Sequence, residues 1–304
     1  MSTEMRILVA GSSGLIGSAL LNHLRKQGYM VHRLIRSAAR DPQSLYWDPE
    51  NKIFPYRQVD NGYDCVINLA GSELASGRWT ENKKRLIRQS RVEATTFLSE
   101  SLAALKMPPA LLINASAVGY YGDRGDQLLD ENQEPGKKFL AQLCVDWERA
   151  TQSAVKRGVR VVSLRTAIVL AQQGGALSKM IPPFRIGLGA VLGSGTQYMS
   201  WIALDDVLSI IDFIIQHPLI KGPVNVASPH PVTNKEFTQV LGGVLKRPVF
   251  CKLPVWALRM LLGEMADEML LCSLRVLPRV LQEEGYTFHY PDLSSALKAA
   301  LENE

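Results

Sequence analysis

The segment VAGSSGLIG, Val9 to Gly17, sets three glycines at intervals of three between an apolar run and a helix-like one. The chemistry this suits is anion binding. One glycine permits a tight turn, one lets the backbone approach a diphosphate, one lets helix and strand pack closely, and the helix N-terminus favours negative charge. Gly11, Ser13, Gly14, Leu15, Ile16 and Gly17 are therefore candidate dinucleotide contacts, joined by Leu69, Ala70 and Gly71 of a later strand end, NLAG. The next apolar run, MVHRLIR, closes on Arg36, with Arg40 beyond it and no carboxylate before Asp41. An acid at that tip would hold free ribose hydroxyls, whereas a cation suits a 2′-phosphate, and the planar fork of arginine can grip phosphate oxygens in pairs. The nucleotide expected is NADP(H).

A second group could move protons. In NASAVGYYGD, Ser116 is followed by Tyr120 and Tyr121, just past a strand end where open α/β sheets place ligands. Ser116 could orient a substrate oxygen, and either tyrosine could donate a proton beside it or serve only as aromatic packing. Asp123, Asp126 and Glu131 could act as bases if buried, though so polar a segment favours exposure. Lys137 and Lys138 could supply charge, or simply solvate a helix start. For the substrate, Arg78, Lys179, Arg185 and Tyr198 could line a cleft with Ser72 and Glu73, while Trp79 and Trp201 could stack on a planar group or lie in the core. Cys65, Cys144, Cys251 and Cys272 form no CxxC pair and read as small apolar residues, so no metal is expected.

The elements that must position these residues are legible as an alternation. Strand-like runs at 5–10, 30–36, 64–70, 110–116, 159–165 and 223–228 alternate with helices beginning near Leu15, Trp79, Phe139 and Asp205. Several runs are apolar at nearly every position, as in a parallel sheet covered on both faces. This predicts an α/β fold, a Rossmann-type doubly wound parallel sheet with a smaller, mainly helical C-terminal substrate lobe. The expected boundaries are 1–171 and 200–228 for the nucleotide domain, and 172–199 and 229–304 for the lobe. The helix near Trp79 reads as one long element ending at Pro108-Pro109, and the Gly- and Pro-rich stretch after Leu170 as a long loop. Thr233 and Glu236 form a capping box, and a hydrophobic helical stretch follows, broken at Pro278.

With 304 residues, 46% hydrophobic and 21% charged, the chain has the profile of a globular protein with a sizeable core. Its apolar windows are too short for a membrane span, and the N-terminus enters a strand at once, so a cytoplasmic location is expected. The net charge of +5 is mild. Lys84, Arg88 and Arg91 would share one helix face, a solvated stripe rather than a nucleic-acid surface. The partner expected is a small-molecule substrate, with a homodimer as the open option for assembly.

GSSGLIG, NLAG, NASAVGYYGD, LRTAIVL (164–170) and SWIALDDV (200–207) together resemble the extended short-chain dehydrogenase/reductase superfamily, in its NAD(P)-dependent epimerase/dehydratase branch. GRWTENKKRLIRQSRV (77–92), LCVDWE (143–148), MIPPFRIGLG (180–189) and LLGEMA (261–266) are similar to a subgroup with its own C-terminal helical region, some of whose members are labelled cell-division inhibitors. The resemblance implies hydride transfer, with a Ser or Thr orienting substrate and a YxxxK tyrosine moving the proton. Ser116 matches the hydroxyl. The helix KKFLAQLCVDWERA does not match the dyad: the Tyr position holds Phe139 or Leu140, the Lys position Leu143 or Cys144. The leading expectation is thus an NADP(H)-dependent oxidoreductase or epimerase-like enzyme acting on a carbonyl or alcohol without that dyad. The alternatives are a non-catalytic NADP(H)-binding redox sensor and, more distantly, a basic nucleic-acid or partner-binding module.

Overall fold

The computed structural model describes residues 5–38, 41–60, 62–75 and 77–302. Its centre is a seven-stranded sheet whose ladders are all parallel. We number its strands in chain order as β1 (Arg6–Ala10), β2 (Met30–Ile35), β3 (Ser44–Tyr46), β4 (Cys65–Asn68), β5 (Leu111–Ala117), β6 (Arg160–Thr166) and β7 (Gly222–Val226). The spatial order is β7-β6-β5-β4-β1-β2-β3, so the winding reverses between β1 and β4. Open sheets bind ligands at such a reversal.

Strand composition follows from burial on both faces. Ile7 and Val9 face one core with Ile67, Ile113, Leu164 and the helix Leu204–Gln216; Leu8 and Ala10 face the other with Val66, Leu98, Leu102 and Leu112. Each such fully buried aliphatic side chain contributes about 1.5–3 kcal/mol. A third core, beneath the lobe, gathers Leu177, Ile181, Phe184, Trp201, Phe237 and Leu297. The C-terminal segment does not stay within the lobe: Leu281 is fully buried in the first core, and the Tyr286 hydroxyl donates to Asp206 at 3.0 Å.

The six predicted strands and four helix starts lie within two residues of their expected places. Four features differ. The short edge strand β3 has no strong apolar pattern of its own and pairs only with β2. The long helix is three pieces, Glu81–Arg88, a π-helical turn Gln89–Glu93, and Ala94–Ala103. The expected loop after Leu170 contains a helix, Gly175–Arg185, with Pro182 and Pro183 inside it. Leu177, Ile181 and Phe184, spaced four and three, bury one stripe, and that burial outweighs the amide donors the prolines remove. The last hydrophobic stretch breaks at Gly263, at φ 62°, well before Pro278. Thr233 caps its helix as expected, accepting from the Glu236 amide at 3.2 Å.

Candidate active site

The β1 turn is tight for a stated reason. Gly11 sits at φ +77°, and a Cβ there would fall 2.5 Å from the backbone of Leu69; a Cβ on Gly17 would fall 2.2 Å from the Gly11 carbonyl oxygen. Only glycine fits either place. Gly14 is different, since a Cβ there would meet nothing closer than 3.6 Å. It is the N-cap of the helix Leu15–Lys26 (α1), which has neither a side-chain cap nor an acid in its first turn. An uncapped, acid-free helix start at a glycine turn fits a diphosphate.

A cleft of about 1490 Å³ runs past this turn, lined by Arg36 and Ser37 beyond β2 and, on the opposite side of β1, by Gly71 and Ser72 beyond β4 together with Ser90. Gly11, Ser13, Gly14, Leu69 and Ala70 line it between them. Ile16 packs into the core, Leu15 lies against Gly174 and Gly175, and Gly17 serves the turn, so these three support the site from beneath. Arg36 is exposed on the cleft wall. The first acid after it, Asp41, accepts from the Ser44 hydroxyl at 2.9 Å and pairs with Arg33 at 2.6 Å; the Ser44 bond above all, helped by the Arg33 charge and the Gln43 amide, keeps its carboxyl below the usual range. Arg40 lies outside the described residues.

The second centre is built on one rung of the sheet. Ser116 on β5 pairs with Arg165 on β6, which pairs with Asn225 on β7. The Ser116 hydroxyl donates to Glu148 Oε1 at 2.7 Å, and Arg165 clasps both oxygens of Glu148 at 2.9 Å. Glu148 comes from the helix Phe139–Arg149, two turns past Leu140. The ring of Tyr120 lies over the Arg165 guanidinium, 3.4 Å from centroid to Cζ. Burial raises the Tyr120 phenol, with the arginine charge opposing, so it holds its proton at neutral pH. A hydroxyl, a clamped carboxylate and a phenol thus surround one guanidinium at the strand ends.

Tyr121 must be withdrawn from the catalytic candidates. It is fully buried, its hydroxyl donates to Asn225 Oδ1 at 2.7 Å and accepts from Arg165 at 3.1 Å, and burial pushes its pKa up to about 12. The missing dyad also acquires a register. Leu140 faces Gly119, and the Cys144 thiol lies against Ser116 and the Ala117 backbone amide, so these two face the Ser116 end of the sheet. Phe139 instead turns edge-on to Trp79. The Cys144 thiol is pushed up to about 12 by burial, which keeps it protonated and unreactive.

Of the substrate candidates Ser72 lines the cleft, while Glu73, Arg78, Trp79, Lys179, Arg185, Tyr198 and Trp201 do not. Trp201 is fully buried and donates to the His230 carbonyl at 3.1 Å; Trp79 is buried and donates to Leu74 at 3.0 Å. Both tryptophans are core, because each indole finds an apolar cluster for its body and a carbonyl for its N–H. Tyr198 lies under Arg275 at 4.7 Å and Arg78 lies beside Gly263. Lys179 spans from its helix to Glu73 and the Ala75 carbonyl, strapping lobe to sheet domain. Lys137, Lys138, Asp123 and Asp126 are exposed, but Glu131 is buried, accepting from the amides of Asn225 and Val280 at 3.0 and 3.3 Å, away from the cleft. The basic stripe dissolves: Lys84 pairs with Glu264, Arg88 with Asp146 at 2.6 Å, and Arg91 is buried.

Sequence reasoning passed over Glu148 and Arg165, and read Arg91 only as part of a solvated stripe. An arginine inside the apolar strand RVVSLRT and a glutamate on the Leu140–Cys144 face of its helix were the available signals. No helix among the described residues is long and apolar enough to cross a membrane.

The doubly wound sheet, its glycine turn at the winding reversal and the hydroxyl at the end of β5 define a dinucleotide-binding protein of the short-chain dehydrogenase/reductase type. The chain belongs to the NAD dependent epimerase/dehydratase family, whose match covers residues 7–227, and a domain of unknown function, DUF1731, matches 253–300. It is 47% identical over 292 residues to Epimerase family protein Mb2239 of Mycobacterium bovis, covering 96% of each chain. It is 35% identical to the chloroplastic Epimerase family protein SDR39U1 homolog of Arabidopsis thaliana, covering 99% of this chain and 88% of that one. Its structure is similar to the crystal structure of human epimerase family protein SDR39U1 (isoform 2) with NADPH, at TM-score 0.89 and 32% identity, covering 99% of this chain and 100% of that one.

Proposed function

We propose that the protein is an NADP(H)-dependent oxidoreductase or epimerase-like enzyme acting on a carbonyl or alcohol of a small molecule. The observation that carries this reading is the cleft end at β2: Arg36 is exposed on the cleft wall and forms no ion pair among the described residues, while Asp41, the acid that could favour NAD(H), is tied to Arg33 and Ser44. The human neighbour solved with NADPH supports the same choice. The glycine turn, the uncapped start of α1 and Leu69 to Gly71 would hold the nucleotide. When bound, it supplies a hydride donor or acceptor.

The chain's own contribution is proton handling without a tyrosine–lysine pair. Ser116 would hydrogen-bond the reacting oxygen; an alcohol proton passes to Ser116 Oγ as the serine proton moves to Glu148, and a carbonyl is protonated by the reverse path. Arg165 holds Glu148 in line, and Tyr120 keeps a protonated phenol beside the same guanidinium. The test is calorimetric titration of wild type and Arg36→Asp with NADPH and NADH, followed by a carbonyl screen read by NADPH absorbance. NADPH preference should vanish in Arg36→Asp, and Ser116→Ala and Glu148→Gln should each lower turnover about 10²-fold or more. Nucleotide binding with no turnover on any carbonyl class would favour a non-catalytic redox sensor, the reading to which apolar Leu140 and protonated Cys144 lend weight.

A further inference from the structure

Arg91 stands on the π-helical turn Gln89–Glu93 and is only 8% exposed. A π turn adds a residue to a helix at a cost and is typically retained where it aims a side chain. Its guanidinium meets only neutral groups: it donates to the Ser72 carbonyl at 2.8 Å, to the Ser90 hydroxyl at 3.4 Å and to the Ile87 carbonyl at 3.5 Å, and lies 5.2 Å over the Trp147 ring. Among the described residues it forms no ion pair; Glu93, the acid nearest in sequence, is exposed on the cleft wall beyond that reach. Burial lowers its pKa to about 10, which leaves it charged at neutral pH. An unpaired charge in a low-dielectric setting projects its field farther than a paired or hydrated one.

That field reaches the cleft through a single layer of backbone. A Cβ on Gly71 would fall 3.1 Å from the Arg91 Cζ, and Gly71, Ser72 and Ser90 line the cleft at the end opposite Arg36. If Arg36 takes the 2′-phosphate, the nicotinamide half lies toward Arg91. The helix face beside it, Leu140 and Cys144, is buried and brings no charge of its own.

We propose that Arg91 biases the site toward the reduced nucleotide. The oxidised nicotinamide ring carries a positive charge that the reduced ring lacks, so an uncompensated guanidinium at that end repels NADP⁺ and leaves NADPH unpenalised. Arg91 acts as a positioning and electrostatic residue, through the loop it underlies. The inference rests on the reading of the cleft as an NADP(H) site.

The experiment is calorimetric binding of NADPH, NADP⁺ and 2′,5′-ADP to wild type, Arg91→Met and Arg91→Lys. Wild type should favour NADPH over NADP⁺, and Arg91→Met should reduce that ratio about tenfold, while 2′,5′-ADP, which lacks the nicotinamide half, binds within about twofold of wild type. Arg91→Lys, which keeps the charge, should retain most of the ratio. If Arg91→Met does not fold, Gly71→Ala, whose methyl presses on the guanidinium, should shift the ratio in the same direction. An unchanged ratio, or equal weakening of all three ligands, overturns the proposal and leaves Arg91 a clamp for the loop. Wild type that binds none of the three brings down the cofactor reading itself, and the inference with it.

Discussion

Two arginines are buried to nearly the same degree, Arg165 at 3% and Arg91 at 8% exposure, and they behave in opposite ways. Arg165 clasps both oxygens of Glu148, and its pKa is raised: burial works against the charge, but the Glu148 hydrogen bonds and charge outweigh it. Arg91 meets only carbonyls, a hydroxyl and a ring, and its pKa is lowered by burial that nothing repays. A paired charge is spent on holding the structure together. An unpaired one remains available to whatever enters the cleft, and the fold accommodates it because both of its terminal nitrogens still find carbonyl or hydroxyl acceptors.

The comparison breaks most readily at Arg165. Replacing it with methionine strands the Glu148 carboxylate and takes a partner from Tyr121, so a loss of about 3–5 kcal/mol is expected in urea unfolding at neutral pH. A loss under about 1 kcal/mol would show that Glu148 reaches water and that the pair is not structural.

Glu131 sharpens the contrast from the acidic side. Its Oε1 accepts two amides, but its buried Oε2 has no partner among the described residues, and burial raises its pKa. A carboxyl raised in the folded state favours folding while protonated, and loses that advantage as pH rises from the unfolded value through the folded one. Glu131→Gln should therefore stabilise the protein at pH 7 by about 1 kcal/mol and flatten the fall in stability above the ordinary carboxylate range. The unfolding midpoint measured from pH 4 to pH 8 reads both effects, and destabilisation at pH 7 would contradict them.

The smallest change in stability is expected at Arg91. Arg91→Met removes a desolvated charge along with its hydrogen bonds, two opposing effects, so unfolding should shift by less than about 1 kcal/mol. A loss comparable to that at Arg165 would place the two residues in one class.

How much of this the sequence contained differs between the two arginines' surroundings. The β1 turn was legible because strand, glycine turn and helix are contiguous and Gly17 is required by the nearby Gly11 carbonyl, although Gly11 itself is also pressed by the Leu69 backbone at the end of β4. Arg36 was legible for the same reason, as the tip of a strand whose neighbours follow from the winding. The proton-handling group was half legible. Ser116 and Tyr120 could be read from one segment, yet Glu148, Arg165 and Asn225 come from three further elements and meet only because β5, β6 and β7 are adjacent in register.

The helix beginning at Glu81 shows the limit most clearly. A pattern of spacing placed Lys84, Arg88 and Arg91 on one solvated face, but the π turn rotates Arg91 away from that face and buries it against Trp147. Likewise Trp201 and Tyr121, chosen for what their side chains can do, are fully enclosed by elements distant in the chain.

The sequence by itself determined the doubly wound architecture, the glycine cradle and the cation at its nucleotide-selecting end, because alternating apolar runs and short turns act through neighbouring residues. Only the tertiary structure decided which buried charges found partners. Pairing depends on which side chains from separate strands and helices arrive within about 3 Å of one another, and in this fold that distance gave Arg165 a carboxylate and left Arg91 without one.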